Sequence, residues 1–230
     1  MDRTALVTGG TGGLGTAVVA RLLADGWRVV VPWVAEHELA RVERRPGLEL
    51  VHADLFAEEE VRGVVATASG DPETPLRGVV NLVGGFATGG RVHETPIDEF
   101  RAQFRLNLEP TYLVIQAALP HLIAAGGGSI VCAGTRAALR PFPGAAGYIS
   151  SKAAVIAFVK ALAVEYRNDL IRANAILPSV IDTAANRAAM PDADFERWVK
   201  PAEIAGVIAF LLSDDSAPTS GAEVPVYGRA

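Results

Sequence analysis

The 230 residues include a single cysteine, Cys132, so no disulfide closes within the chain and no thiolate cluster holds a metal. Cys132 lies in an apolar, strand-like run and reads as a small buried hydrophobe, which suits a reducing cytoplasm, the expected location. Histidines are few and scattered. His37, His52, His93 and His121 show no ligand spacing, so no metal site is expected. Basic residues are not in excess: 21 Lys and Arg against 26 Asp and Glu leave a net charge of -5. That balance gives no footprint for nucleic acid or an anionic membrane and leaves a small molecule as the expected partner. Long unbroken apolar runs are also lacking. Pro110 to Thr135 carries no Asp, Glu, Lys or Arg, but Pro110, Gln116, Pro120, His121 and Gly126 to Gly128 interrupt it. It reads as a buried helix, a turn and a buried strand rather than a membrane span. Met1-Asp2-Arg3 leads into an apolar run too short for a signal-peptide core, so no secretion is expected.

What the chain does have is alternation. Half of the residues are hydrophobic and 20% are charged, within the globular range. Runs rich in Val, Ile and Leu predict strands at Ala5–Thr8, Arg28–Val31, Leu48–Ala53, Gly78–Val83, Ser129–Ala133, Arg172–Ile176 and Glu223–Val226. Helical spacing predicts helices at about Leu14–Ala24, Glu36–Arg44, Glu58–Ala68, Asp98–Ala125, Tyr148–Arg167 and Pro201–Leu212. Strands apolar on both faces and separated by helices imply an α/β fold, a doubly wound parallel sheet of about seven strands with helices on both faces. One Rossmann-like domain over 1–230 is expected, since the Gly/Pro-rich segments are only loop-length.

Two patterns carry chemistry. The first strand runs into Thr8-Gly9-Gly10-Thr11-Gly12-Gly13-Leu14-Gly15, where a helix begins. Glycines there let backbone N–H groups approach a pyrophosphate at the positive end of the helix dipole. The register is open: G-x-G-x-x-G, T-G-x-x-x-G-x-G and a third spacing through Gly9, Gly12 and Gly15 all fit. The second pattern is Tyr148-x-x-x-Lys152, which puts both side chains on one helix face. A neighbouring ammonium stabilises phenolate and brings a tyrosine toward useful proton transfer.

Together these segments resemble the short-chain dehydrogenase/reductase family. The T-G-x-x-x-G-x-G register, with Gly9, Thr11, Gly13 and Leu14, matches its cofactor loop. Asp54-Leu55 resembles its adenine-contacting pair, and Asn81-Leu82-Val83-Gly84 its Asn-Asn-Ala-Gly segment. Asn107 falls where the family keeps an Asn that supports a proton-relay water, and Tyr148 and Lys152 fall on its Tyr-x-x-x-Lys. Pro178 to Thr183, through Ile181, resembles the Pro-Gly-x-x-x-Thr that brackets the nicotinamide, with Ser179 replacing glycine. The resemblance implies hydride transfer between NAD or NADP and a small carbonyl, alcohol or related substrate. Tyr148 would be the acid/base, Lys152 the ribose anchor that lowers the tyrosine pKa, and Asn107 the holder of the relay water. A sensor that binds dinucleotide without catalysis is the rival.

Three departures matter. The family's catalytic serine position holds Thr135, which either polarises the substrate oxygen or merely ends the fifth strand. The second strand ends in Trp33, where NAD enzymes of this fold place an acid, and Gly12 holds a loop position that is often basic in NADP enzymes. Trp33 either flanks the adenine or caps the sheet edge, and nucleotide preference stays undetermined. Ile130 to Trp198 also bears a narrower resemblance to dihydropteridine reductase, which works without the serine, although the acid of that branch is missing here. About 184–200 is expected to be a substrate lid, Phe86, Arg91 and Trp198 are expected pocket walls, and Pro110 is expected to kink the long helix beside Asn107. The family's habit of pairing its long helices implies a homodimer or homotetramer, through a face carrying Ala153, Ala154, Ile156, Ala157, Ala161, Leu162 and Val164.

Overall fold

The computed structural model describes residues 1–229. Seven strands, β1 (Thr4–Thr8), β2 (Arg28–Trp33), β3 (Leu48–His52), β4 (Leu76–Asn81), β5 (Gly128–Ala133), β6 (Ile171–Pro178) and β7 (Glu223–Val226), form one sheet in the order 3-2-1-4-5-6-7. Every pairing is parallel, as strands apolar on both faces require. β2 runs two residues further than expected, through Pro32. Its pairing with β1 covers only Arg28 to Val30, so the missing proline N–H breaks no bond on that side.

Helices α1 (Gly15–Ala24) and α7 (Pro201–Leu212) cover one face, burying Val18, Leu22, Ile204, Ile208 and Leu211 against β1, β2 and β6. On the other face lie α2 (Glu58–Ser69), α3 (Ile97–Asn107), α4 (Glu109–Ala124) and α5 (Ala146–Glu165), with Ile115, Leu122, Val155 and Val159 in the core. A short α6 (Ala184–Ala189) follows β6.

Two helices differ from expectation. Glu36–Arg44 forms only a 3-10 turn at Glu36–Arg41, because none of its residues is buried and no apolar face rewards a longer helix. Asp98–Ala125 is two helices, broken at Leu108, rather than one with a kink. Pro110 has no N–H for the preceding turn, and it sits in the first turn of α4, where that lack is harmless. Thr111 Oγ donates to the Asn107 carbonyl at 2.8 Å across the break. α5 is long and apolar enough by composition to cross a membrane, yet its residues Ser151, Lys152, Val155 and Val159 are buried inside this fold.

Candidate functional site

The strand order reverses direction at β1 and β4, and the crevice beyond their carboxyl ends is where a doubly wound sheet binds its ligand. The glycine loop lies on this crevice. Gly9 has φ +67° and its carbonyl accepts from Gly12 N at 3.0 Å, a turn that feeds Gly15 into α1. The N–H groups of Gly13 and Leu14 have no acceptor among the described residues, so donors suited to a pyrophosphate stand at the start of a ten-residue helix. A β-carbon on Gly13 would lie 3.0 Å from the methyl of Thr183, which places that residue across the crevice from the loop. The Thr183 hydroxyl caps α6 by accepting from Asn186 N at 3.2 Å. Pro178 ends β6, and Ile181 bridges to Val199, drawing the two ends of the 184–198 excursion together. Ser179, in the glycine's place, donates to the Tyr227 carbonyl at 2.7 Å.

The β5 side carries the titratable groups. The α5 start, two residues earlier than expected, puts Tyr148 in the first turn and Lys152 one turn on. Lys152 is 6% exposed and its ammonium donates to the Ala133 carbonyl at 2.9 Å. Burial lowers its pKa to about 8. Asn107 is fully buried: its Oδ1 accepts from Gly85 N at 3.0 Å, and its amide donates to the Gln103 carbonyl and to Ser151 Oγ, each at 3.1 Å. A β-carbon on Gly84 would come within 2.5 Å of Asn107 Oδ1 and 2.9 Å of Lys152 Nζ, so only glycine lets these two polar atoms flank the loop.

Thr135 is buried and its hydroxyl oxygen accepts from Ala137 N at 3.2 Å, which leaves the O–H to donate. Burial pushes the Tyr148 phenol up, and the hydrogen bond from the Thr135 hydroxyl offsets part of that rise. The Lys152 ammonium, expected to act on this phenol, is held on the Ala133 carbonyl at the end of β5.

The other expected residues range from buried to exposed. Asn81 is buried, its Oδ1 accepting from Thr8 Oγ and its amide donating to Thr111 Oγ, both at 2.6 Å. Its side chain thus braces the sheet toward Asn107. Leu55 is buried in the core beside α2, and Asp54 Oδ1 accepts from Phe56 N at 3.0 Å. Trp33 meets His52 edge-on at 4.9 Å where β2 and β3 end. Of the expected walls, Phe86 is 63% exposed and packs edge-on against Tyr148 at 4.9 Å, with Phe142 beyond it at 6.3 Å. Arg91 is exposed, and Trp198 is buried against Phe195 within the 184–198 excursion. A cavity of about 580 Å³ next to Tyr148 is lined by Thr88, Val92, Phe100, Gln103 and Gly147, and Gln103 Oε1 is buried without a partner among the described residues.

Sequence reasoning missed Thr111, Ser151 and Glu38. Thr111 and Ser151 lie one turn or less from Asn107 and Lys152, a spacing that could have flagged them. Glu38 had no such signal: its carboxylate reaches back from the 3-10 turn to accept from Thr11 Oγ at 2.5 Å.

A family model described as Enoyl-(Acyl carrier protein) reductase matches residues 9–228. The 2-(R)-hydroxypropyl-CoM dehydrogenase of Xanthobacter autotrophicus is 30% identical, with 99% of this chain and 98% of that protein aligned. Dehydrogenase/reductase SDR family member 4 of Bos taurus is 31% identical over 99% of this chain and 86% of its own. A solved short-chain type dehydrogenase/reductase from Mycobacterium ulcerans superposes with a TM-score of 0.91 at 27% identity, covering 100% of this chain and 90% of that one. Matched from the glycine loop to the last strand, the chain belongs to the short-chain dehydrogenase/reductase family and is an NAD(P)-dependent oxidoreductase of small alcohol or carbonyl substrates.

Proposed function

We propose that Tyr148 is the acid/base of this reaction, with Thr135 as the donor that polarises the substrate oxygen. Tyr148 in the first turn of α5, one turn before the buried Lys152 whose ammonium donates to the Ala133 carbonyl two residues before Thr135, is the observation that carries the reading. Bound in the crevice, NAD or NADP supplies the hydride donor or acceptor. Tyr148 gives its proton to the developing alkoxide on reduction and takes one from the alcohol on oxidation. Thr135 steadies the same oxygen by donating its O–H. Lys152 anchors the ribose hydroxyls through its ammonium, and Asn107 holds the relay water. Gly9, Thr11, Gly13 and Leu14 cradle the pyrophosphate, Trp33, Asp54 and Leu55 line the adenosine side, and Asn81, Gly84, Pro178, Ile181 and Thr183 line the nicotinamide side. The chain acts as one nucleotide-binding domain with a lid at 184–200, in the cytoplasm.

The test is steady-state oxidation of NADH and NADPH over a panel of ketones, aldehydes, quinones and quinonoid dihydropterin, repeated with Tyr148→Phe. The variant should bind nucleotide as the native protein does and lose at least about 100-fold in kcat, the lower end of general acid–base effects. Turnover within about tenfold of wild type, only ~1.4 kcal/mol in barrier, would remove Tyr148 from its role.

We also propose a homodimer or homotetramer built on the outer faces of α4 and α5. Ile156 and Leu162, expected on that surface, are buried within the monomer, whereas Ala153, Ala157, Val164 and Tyr112 stay exposed. A groove lined by Phe104, Leu108, Tyr112, Ala154 and Phe158 continues this apolar surface. Light scattering at micromolar concentration should return a multiple of the 24.1 kDa chain mass, and a monomeric mass would refute it.

A further inference from the structure

We propose that Glu38 makes this chain prefer NAD over NADP, supplying from the 3-10 turn the carboxylate that the end of β2 lacks. The inference rests on reading the crevice as a dinucleotide site, and it assigns the preference within that site. In a sheet of this order the adenosine half of a dinucleotide lies over the β1 to β3 side, close to the glycine loop. Trp33 ends β2 there without a charge, and Gly12 gives the loop no side chain.

The turn at Glu36–Arg41 carries Glu38 back over the loop, where its Oε2 accepts from Thr11 Oγ at 2.5 Å. Thr11 is buried between the glycines, so the carboxylate is held at the loop and does not swing free in solvent. Its other oxygen lies 3.4 Å from Arg41 of the same turn. Vicinal ribose hydroxyls donate readily to such an anchored carboxylate, which still has lone pairs to accept them. A 2′-phosphate brings about -1.5 to -2 charge against the same group at contact distance, and like charges so close repel. Of the arginines that follow in this segment, Arg41 pairs with Glu38 itself, Arg45 pairs with Glu43 at 2.5 Å, and Arg44 is exposed.

The alternative is that Glu38 only braces the loop. Glu38→Gln separates the two, since glutamine keeps the side-chain length and the acceptor for Thr11 but removes the charge. The probes are ADP-ribose and 2′-phospho-ADP-ribose, titrated by calorimetry into the wild-type protein and Glu38→Gln, with thermal melting to confirm that both are folded. ADP-ribose should bind the wild type at least about tenfold more tightly than its 2′-phosphorylated form, and Glu38→Gln should shrink that ratio by about tenfold. Equal or tighter binding of 2′-phospho-ADP-ribose by the wild type, or an unchanged ratio in Glu38→Gln, overturns the inference while leaving the nucleotide site intact. Failure of both probes to bind the wild type overturns the dinucleotide reading and the inference with it.

Discussion

The two sides of the crevice are built differently. On the β5 side the functional groups hang on buried hydrogen bonds between distant parts of the chain. Asn107 reaches Ser151 across 44 residues, and Lys152 reaches Ala133 across 19. On the β2 side the contacts are more local and nearer solvent: Asp54 bonds Phe56 two residues on, and Glu38 closes on Thr11 from a turn with no buried residue. Proton transfer needs side chains held to a fraction of an ångström, and burial with long-range bonding gives that rigidity. Recognising a ribose, the role proposed for Glu38, asks less, and a surface turn suffices for it.

If this contrast is real, changes on the β5 side should have the larger effects. The largest in this group is expected from Thr135→Val, which keeps the branched shape and deletes the donor. On a ketone it should cost on the order of 2 to 4 kcal/mol in kcat/KM, by analogy with losing one oxyanion donor. Near-neutrality on a ketone would show that Tyr148 handles the oxygen alone. Near-neutrality on a quinonoid pterin would instead favour the serine-independent reading suggested by the narrower resemblance.

Next in size is the pH dependence set by Lys152. Its pKa is about 8 in the fold against 10.5 for a free lysine, because burial disfavours the ammonium. Between those values the unfolded chain binds the proton that the folded chain has released, so raising the pH through this window favours the folded state. The full difference amounts to roughly 3 kcal/mol at most. Chemical denaturation between pH 7.5 and about 10 should show wild-type stability rising relative to Lys152→Met. Parallel curves would mean that the ammonium is better solvated than its burial implies.

The smallest effects sharpen the contrast most directly. Thr111→Val leaves the buried Asn81 amide and the Asn107 carbonyl each without a partner and should cost about 1 to 3 kcal/mol of stability. Asp54→Ala on the other side removes one hydrogen bond near solvent and should cost about 0.5 to 1.5 kcal/mol. Denaturant midpoints of the two variants would decide it, and equal losses would erase the distinction between the two sides.

Much of the architecture was legible because it rests on local pattern. Val29 to Val31, Val79-Val80 and Ile130-Val131 are apolar on both faces, and that alone calls for strands covered on both sides. Thr8 to Gly15 and Tyr148 with Lys152 were legible for the same reason, since their spacing is local. The break at Leu108 was only half legible: Pro110 announced a disturbance, but whether it kinks or ends a helix depends on what receives the freed carbonyls, and Thr111 does so here. The partners of the Asn81 side chain on β1 and α4 could not be read from its neighbours in the chain.

The sequence by itself determined the parallel α/β sheet, the glycine turn after β1 and the one-turn separation of Tyr148 from Lys152, because each depends on backbone periodicity or on glycine's freedom over a few residues. Only the tertiary structure decided that the Lys152 ammonium rests on the Ala133 carbonyl, that Gly84 lies between Asn107 and Lys152, and that Glu38 closes on Thr11. Those outcomes turn on burial and on polar atoms brought together from distant segments, and both exist only after the helices have packed on the sheet.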